Sequence, residues 1–203
     1  MIHAFNYTCD RDLELSNLMV STLYKYCDSI TALKVFNTDH NPALKGYGNG
    51  AGWPQSMLKL AGLRNFSPKD DDFILSVDSD VVFCNSEVFH MLDTNYGIIG
   101  RRHTKPFPTK LGLWGHMGGS LIFIRGDVAK LIGSLPEEEL NMIRFEHFKK
   151  YDLTENEDVV LSYLCSYVGA VHLALPNSVT SGDFEQDIKE GRPRKSFYHL
   201  NYS

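Results

Sequence analysis

Phe73-Ile74-Leu75-Ser76-Val77-Asp78-Ser79-Asp80 is the stretch on which the reading turns. Four apolar residues around one serine make the pattern of a short buried strand, and two carboxylates stand at its exit. Side chains two apart on an extended chain point the same way, so Asp78 and Asp80 are set to face one cation. Hard carboxylate oxygens suit Mg²⁺ or Mn²⁺, ions that keep open positions for substrate phosphates. The same letters also read as a strand that ends in an ordinary Asp-Ser turn. By themselves these residues leave both readings open.

Strand-like and helix-like segments alternate on either side. Upstream, Ile2–Tyr7 is an apolar run, and a helical pattern follows at Leu15, Leu18, Met19, Leu23 and Tyr26, with Asp10 or Asp12 in place to cap it. Ala32–Phe36 is a second short strand. Residues 38–52 hold Gly46, Gly48, Gly50 and Gly52 and read as a loop, after which Pro54 opens a helix through Met57, Leu58 and Ala61. Downstream, Ser86 stands to cap a short helix, and Ile98–Gly100 and Ser120–Ile124 read as strands. The connection between them, residues 102–118, is long and irregular, which predicts a functional or mobile loop. Asp127–Ile132 starts a helix. Pro136–Lys150 runs from three Glu to two Lys, the charge order a helix dipole favours. Asp158–Tyr167 is helical, Ala170–Ala174 is strand-like, and Phe197–Leu200 reads as a last strand. Residues 176–203 have little helical periodicity, which predicts a long connection wrapping the sheet. This alternation predicts an α/β fold, a mostly parallel sheet flanked by helices in a single domain. Such sheets bind ligands beyond the carboxyl ends of their strands, which here means Thr8–Asp12, Thr38–His40 and Asp78–Asp80.

Composition narrows the function classes. The 203 residues suit one domain, and 20 Lys+Arg against 25 Asp+Glu gives a net charge of -5. A protein that coats nucleic acid by bulk charge is usually basic, so that class is excluded. No run of eighteen apolar residues exists, so no membrane span is expected. The start, MIHAFNYTCDRD, lacks the basic, apolar and small-residue pattern of a signal peptide. Cys9, Cys27, Cys84 and Cys165 are spread singly, without zinc spacing, which predicts free thiols and a cytoplasmic protein. No glycine fingerprint follows the first strand and no Gly-Lys-Ser/Thr occurs, so a Rossmann dehydrogenase and a P-loop are unsupported.

With these residues in view, the chain resembles the GT-A fold glycosyltransferases. Asp78-Ser79-Asp80 after a buried strand is similar to their DXD motif. Gly115-His116-Met117-Gly118-Gly119-Ser120, before the strand Leu121–Ile124, is similar to the glycine-rich loop on their acceptor side. Glu157-Asp158 at a helix start looks like their Glu-Asp motif, and His199 in Tyr198-His199-Leu200 resembles the C-terminal histidine that completes their metal site. The resemblance implies one GT-A-like, Rossmann-like domain over residues 1–203, with 1–100 as the nucleotide-binding half and 101–203 as the acceptor-side half. It implies metal-dependent transfer of a sugar from a nucleotide-sugar donor, a UDP-sugar foremost. The acceptor would be a hydroxyl on a glycan, a small molecule or a modified nucleic acid such as a hydroxymethylated DNA base. Asp80 would bind Mn²⁺ or Mg²⁺ directly, with His199 as a further ligand and Asp78 touching ribose and metal. Asp158, beside Glu157, would be the base if the reaction inverts the anomeric centre. Tyr7, Thr8, Asp39, Asp78, Gly118 and Gly119 would contact the donor, and Lys59 and Arg64 would reach its phosphates.

Two other functions compete. A nucleotidyltransferase also uses strand-exit carboxylates, but it normally needs glycines and basic residues after the first strand, where this chain has Thr8-Cys9-Asp10-Arg11. A binding domain that has lost its chemistry would not be expected to keep Asp78, Asp80, Asp158 and His199 together. Two basic clusters complete the reading. Arg101, Arg102, Lys105 and Lys110 lie near Phe107 and Trp114, and Arg192-Pro193-Arg194-Lys195 lies near the end. Each suits an anionic acceptor or the donor diphosphate, or is a solvated loop.

Overall fold

All five residues of the strand Phe73–Val77 are buried, which requires a sheet covered on both faces. The computed structural model describes residues 1–40, 52–102, 117–180, 187, 189–191 and 195–200. In chain order the elements are β1 (Ile2–Thr8), α1 (Leu13–Tyr26), β2 (Ile30–Asn37), α2 (Trp53–Arg64), β3 (Phe73–Val77), β4 (Val81–Phe83), α3 (Glu87–His90), β5 (Ile98–Arg102) and β6 (Met117–Arg125). They continue with α4 (Gly126–Gly133), α5 (Glu137–Met142), α6 (Glu157–Tyr167), β7 (His172–Leu175), α7 (Asn177–Thr180) and β8 (Phe197–His199). Six strands form one sheet in the order β2-β1-β3-β6-β5-β7, and β4 and β8 form a separate pair.

The fold is a single mixed α/β domain. Pairs β1–β2, β1–β3 and β5–β7 are parallel, whereas β6 runs antiparallel to both of its neighbours. Strand alternation sends side chains into two cores. Phe5, Ile74, Ile98, Ile122 and Ile124 face the layer of α2, α4 and α6. Ile2, Ala4, Leu75, Val77, Ile99, Leu121 and Phe123 face the layer that holds Met19 and Leu23 of α1, Phe83 of β4 and Phe197 of β8. Gly62 lets α2 lie close on β1, because a Cβ there would sit 2.5 Å from the Phe5 ring. All four cysteines are free thiols. No helix among the described residues is long and apolar enough to cross a membrane.

Several local expectations change. The helix expected over 136–150 is α5 followed by a π-helical segment, Ile143–Lys149. The wider turn puts Ile143 and Phe148, five residues apart, on one buried face. Gly118 and Gly119 lie inside β6, not ahead of it. The C-terminal segment does not simply wrap the sheet. It contains α7 and β8, and β8 pairs with β4, a strand the sequence pattern did not announce. The loop glycines Gly46, Gly48 and Gly50, most of the 102–118 connection with Lys105, Phe107, Lys110, Trp114 and His116, and Arg192–Arg194 lie outside the described residues.

Candidate active site

The Asp78-Ser79-Asp80 turn is fixed from below by β1. Asn6, fully buried in β1, donates through Nδ2 to the Val77 carbonyl at 2.9 Å and to Ser79 Oγ at 3.3 Å. Ser79 Oγ donates to the Tyr7 carbonyl at 3.2 Å, and Ser16 Oγ donates to Asn6 Oδ1 at 2.8 Å. Asp78 N donates to the Ser120 carbonyl at 3.0 Å, which extends the β3–β6 ladder one residue past the strand. The backbone of the turn is therefore held before any ligand arrives.

The side chains converge from three further elements. Lys59, buried in the middle of α2, donates through Nζ to Asp78 Oδ1 at 2.7 Å. His199 Nε2 lies 3.0 Å from Asp80 Oδ1, because the β4–β8 ladder sets Val81 against His199 and Leu200 N donates to the Asp80 carbonyl at 2.8 Å. One ligand atom each from Asp78, Asp80 and His199 lies within 4.8 Å of the others. The hydrogen bond with Asp80 holds the His199 imidazolium above the ordinary histidine range in spite of burial; the Asp80 and Asp78 charges add to this and Arg101 opposes it. Glu157, at the first turn of α6, lines the same cleft of about 490 Å³ with Asp78, Asp80 and His199. Burial pushes the Glu157 carboxyl up, against the opposing charge of Lys59. Ser56 Oγ donates to the Glu155 carbonyl at 3.0 Å, and Met117 N donates to Ser162 Oγ at 3.0 Å, so α6 is tied to both α2 and β6.

The other expected site residues are placed as follows. Tyr7 lines the cleft and stacks on Phe36 with ring centroids 5.0 Å apart; burial pushes its hydroxyl up to about 12. Thr8 is buried, and its carbonyl accepts from Thr38 N and Thr38 Oγ. Asp39 is exposed and accepts from Asp10 N at 2.8 Å. Asp158 Oδ1 accepts from the adjacent Val159 N at 2.8 Å. Gly118 is not forced by packing, since a Cβ there would make only a 3.5 Å contact with the Arg101 carbonyl. Lys59 does not project to solvent as helix cations usually do, and Arg64 spends its guanidinium on the Gly133 and Leu135 carbonyls. Sequence reading missed Asn6, Ser79 and Gln55, of which Gln55 lines the cleft. For Asn6 the signal was present, as a lone amide inside the apolar run Ile2–Tyr7.

Comparison with known structures follows from this geometry. An active-site mutant of LgtC superposes over 100% of this chain and 88% of its own, at TM-score 0.64 and 10% identity. A glycosyltransferase involved in glycosylation of the major capsid of PBCV-1 covers 100% of this chain and 94% of its own, at TM-score 0.59 and 12% identity. The fold is that of the GT-A glycosyltransferases. Mouse xyloside xylosyltransferase 1 shares it over 99% of this chain and 98% of its own, at TM-score 0.56 and 8% identity. No family model and no curated protein sequence matches the chain. The chain carries a DXD-like Asp78-Ser79-Asp80 group just past the end of β3.

The donor set fits a divalent cation. Two carboxylates and an imidazole offer oxygen and nitrogen atoms together, on a partly exposed turn whose backbone is already fixed. Carboxylates suit Mg²⁺ and Mn²⁺, and the imidazole nitrogen tilts the set toward the transition ion.

Proposed function

We propose that this chain is a divalent-metal-dependent glycosyltransferase that moves a sugar from a nucleotide-sugar donor, a UDP-sugar foremost, to an acceptor hydroxyl. The observation that carries this is the meeting of Asp78, Asp80, His199 and Glu157 in one cleft at the carboxyl end of β3. Sheets of this kind bind ligands there, and the fold is shared with glycosyltransferases.

Asp78, Asp80 and His199 would hold Mn²⁺ or Mg²⁺. When bound, such an ion supplies charge that stabilises a diphosphate leaving group. Tyr7 and Thr8 form the floor on which the nucleoside rests, at the end of β1. Arg101, whose charge reaches His199 from the end of β5, adds positive potential on the diphosphate side. Of the two acids at the start of α6, Glu157 faces the cleft, and its raised pKa suits a group that takes a proton from an acceptor hydroxyl. Asp158 stays beside it as a partner in the same first turn, with one oxygen on Val159 N.

The test is a screen of nucleotide sugars for hydrolysis with Mn²⁺, with and without EDTA, which needs no acceptor. Release of nucleoside diphosphate only with metal is expected. No turnover, together with thermal stabilisation by CTP or ATP with Mg²⁺ but not by UDP or GDP with Mn²⁺, would instead favour nucleotidyl transfer.

A further inference from the structure

Lys59 is a buried cation that the fold by itself does not require. It is 5% exposed, in the middle of α2, on a helix face otherwise given to packing. Lysines are almost never buried without a partner, because removing an ammonium from water is costly. The partner is Asp78, at 2.7 Å, and the charges of Glu157 and Asp158 act on the same ammonium. One cation thus sits between the exit of β3 and the start of α6, two walls of the cleft that the backbone does not join directly. Its helix cannot drift. Gly62 seats α2 on the Phe5 ring, and Ser56 fastens its first turn to the Glu155 carbonyl.

A lysine in this position is too deeply held to search for a ligand, and its Nζ is already placed on one oxygen of Asp78. The Asp78 side chain is still about one third exposed and lines the cleft beside Asp80 and His199. We propose that Lys59 is a positioning residue: it locks Asp78 in the orientation that presents its second oxygen beside Asp80 and His199, and so sets the affinity of that cluster for a divalent cation. This rests on the metal-dependent reading above and concerns how the cation site is pre-formed, not how the donor is gripped.

The experiment titrates Mn²⁺ into the full chain without nucleotide and reads free Mn²⁺ by electron paramagnetic resonance. The variants are Lys59→Met, Asp78→Asn and the pair combined. Lys59→Met is expected to weaken Mn²⁺ binding by about 10–100-fold, the range typical of residues that orient a metal ligand. In the Asp78→Asn background the same change should have no further effect, because the residue through which Lys59 acts has been neutralised. Lys59→Gln serves the same comparison if the methionine variant does not melt cooperatively. Unchanged Mn²⁺ affinity in Lys59→Met overturns the proposal, as does a deficit of equal size with and without Asp78→Asn. A loss of UDP binding with Mn²⁺ affinity intact also overturns it, and makes Lys59 a direct phosphate contact. If the wild-type chain takes up no Mn²⁺, with or without UDP, the metal-dependent reading itself fails and takes this inference with it.

Discussion

Asp78 and Asp80 stand two residues apart on one turn, yet they are held from opposite sides. Asp78 is gripped by Lys59, which comes from a core helix and is itself buried. Asp80 faces His199, which arrives on the three-residue strand β8 and is about one third exposed at its side chain. The first contact is built into the main layer of the fold. The second hangs on a strap whose position depends on a short ladder and on Ser196. That serine is fully buried: its Oγ accepts from Val88 N at 2.9 Å and donates to the Asn85 carbonyl at 3.2 Å. Its carbonyl accepts from Cys84 N at 2.8 Å. The strap is thus fastened by backbone and serine bonds before any cation is added. One half of the site is carried by a core helix; the other rides on a three-residue strand anchored by the burial of Phe197 and Tyr198 and by a few hydrogen bonds that can be cut.

The largest effect is expected from Asp80→Ala. It removes a direct ligand while leaving the buried half intact. Mn²⁺ affinity and activity should fall by more than the roughly 100-fold that marks the loss of an orienting partner, with the melting temperature nearly unchanged. A variant that keeps the same Mn²⁺ dependence of UDP binding, read by thermal shift, would remove Asp80 from the site.

Cutting the strap comes next. Ser196→Ala leaves the Val88 amide buried and unpaired, which costs about 1–3 kcal/mol, read by urea unfolding. Hydrogen exchange at residues 197–199 should accelerate and Mn²⁺ binding should weaken, while the Lys59–Asp78 half stays protected. Unchanged exchange in β8 would show that the β4 ladder and the burial of Phe197 hold His199 without Ser196.

A smaller effect tests the wall that carries Glu157. Burial would push Glu155 up, but hydrogen bonds and charge from Arg144, helped by Lys149, prevail and hold its carboxyl below the ordinary value. A carboxyl depressed in the fold stabilises it above the unfolded value of about 4.3, and the contribution is lost as pH falls through the lower folded value. Arg144→Gln should therefore reduce stability near neutral pH and flatten its decline below about pH 4.3. Parallel pH–stability curves for the two proteins would contradict this.

The smallest effect belongs to Ser76, two residues before Asp78 in β3. Its Oγ is the one buried side-chain oxygen without a hydrogen-bond partner among the described residues. Ser76→Ala removes an unsatisfied hydroxyl and should leave stability within about 0.5 kcal/mol of wild type or raise it. A clear loss, measured in the same urea series, would reveal a partner on which the rigid half of the site depends.

The strand-exit carboxylates, the helix that starts at Glu157 and the α/β alternation were legible in the sequence. Each is a local pattern: an apolar run, a charge order, a change of period. Their position at the carboxyl edge followed from a rule about parallel sheets. What the tertiary structure alone decided is of another kind. Strand direction leaves no mark on a short apolar run, so the antiparallel course of β6 could not be read from Leu121–Ile124. Val81-Val82-Phe83 is too short to announce a strand, and its partner Phe197–His199 is distant in the chain, so only pairing in space shows how His199 reaches Asp80. Lys59 read as a helix cation able to reach the donor phosphates, because burial is a property of what packs on a residue. Helix α2 packs against β3, α4 and α6, and a lysine on that buried face has no water to reach, only a carboxylate at the exit of β3.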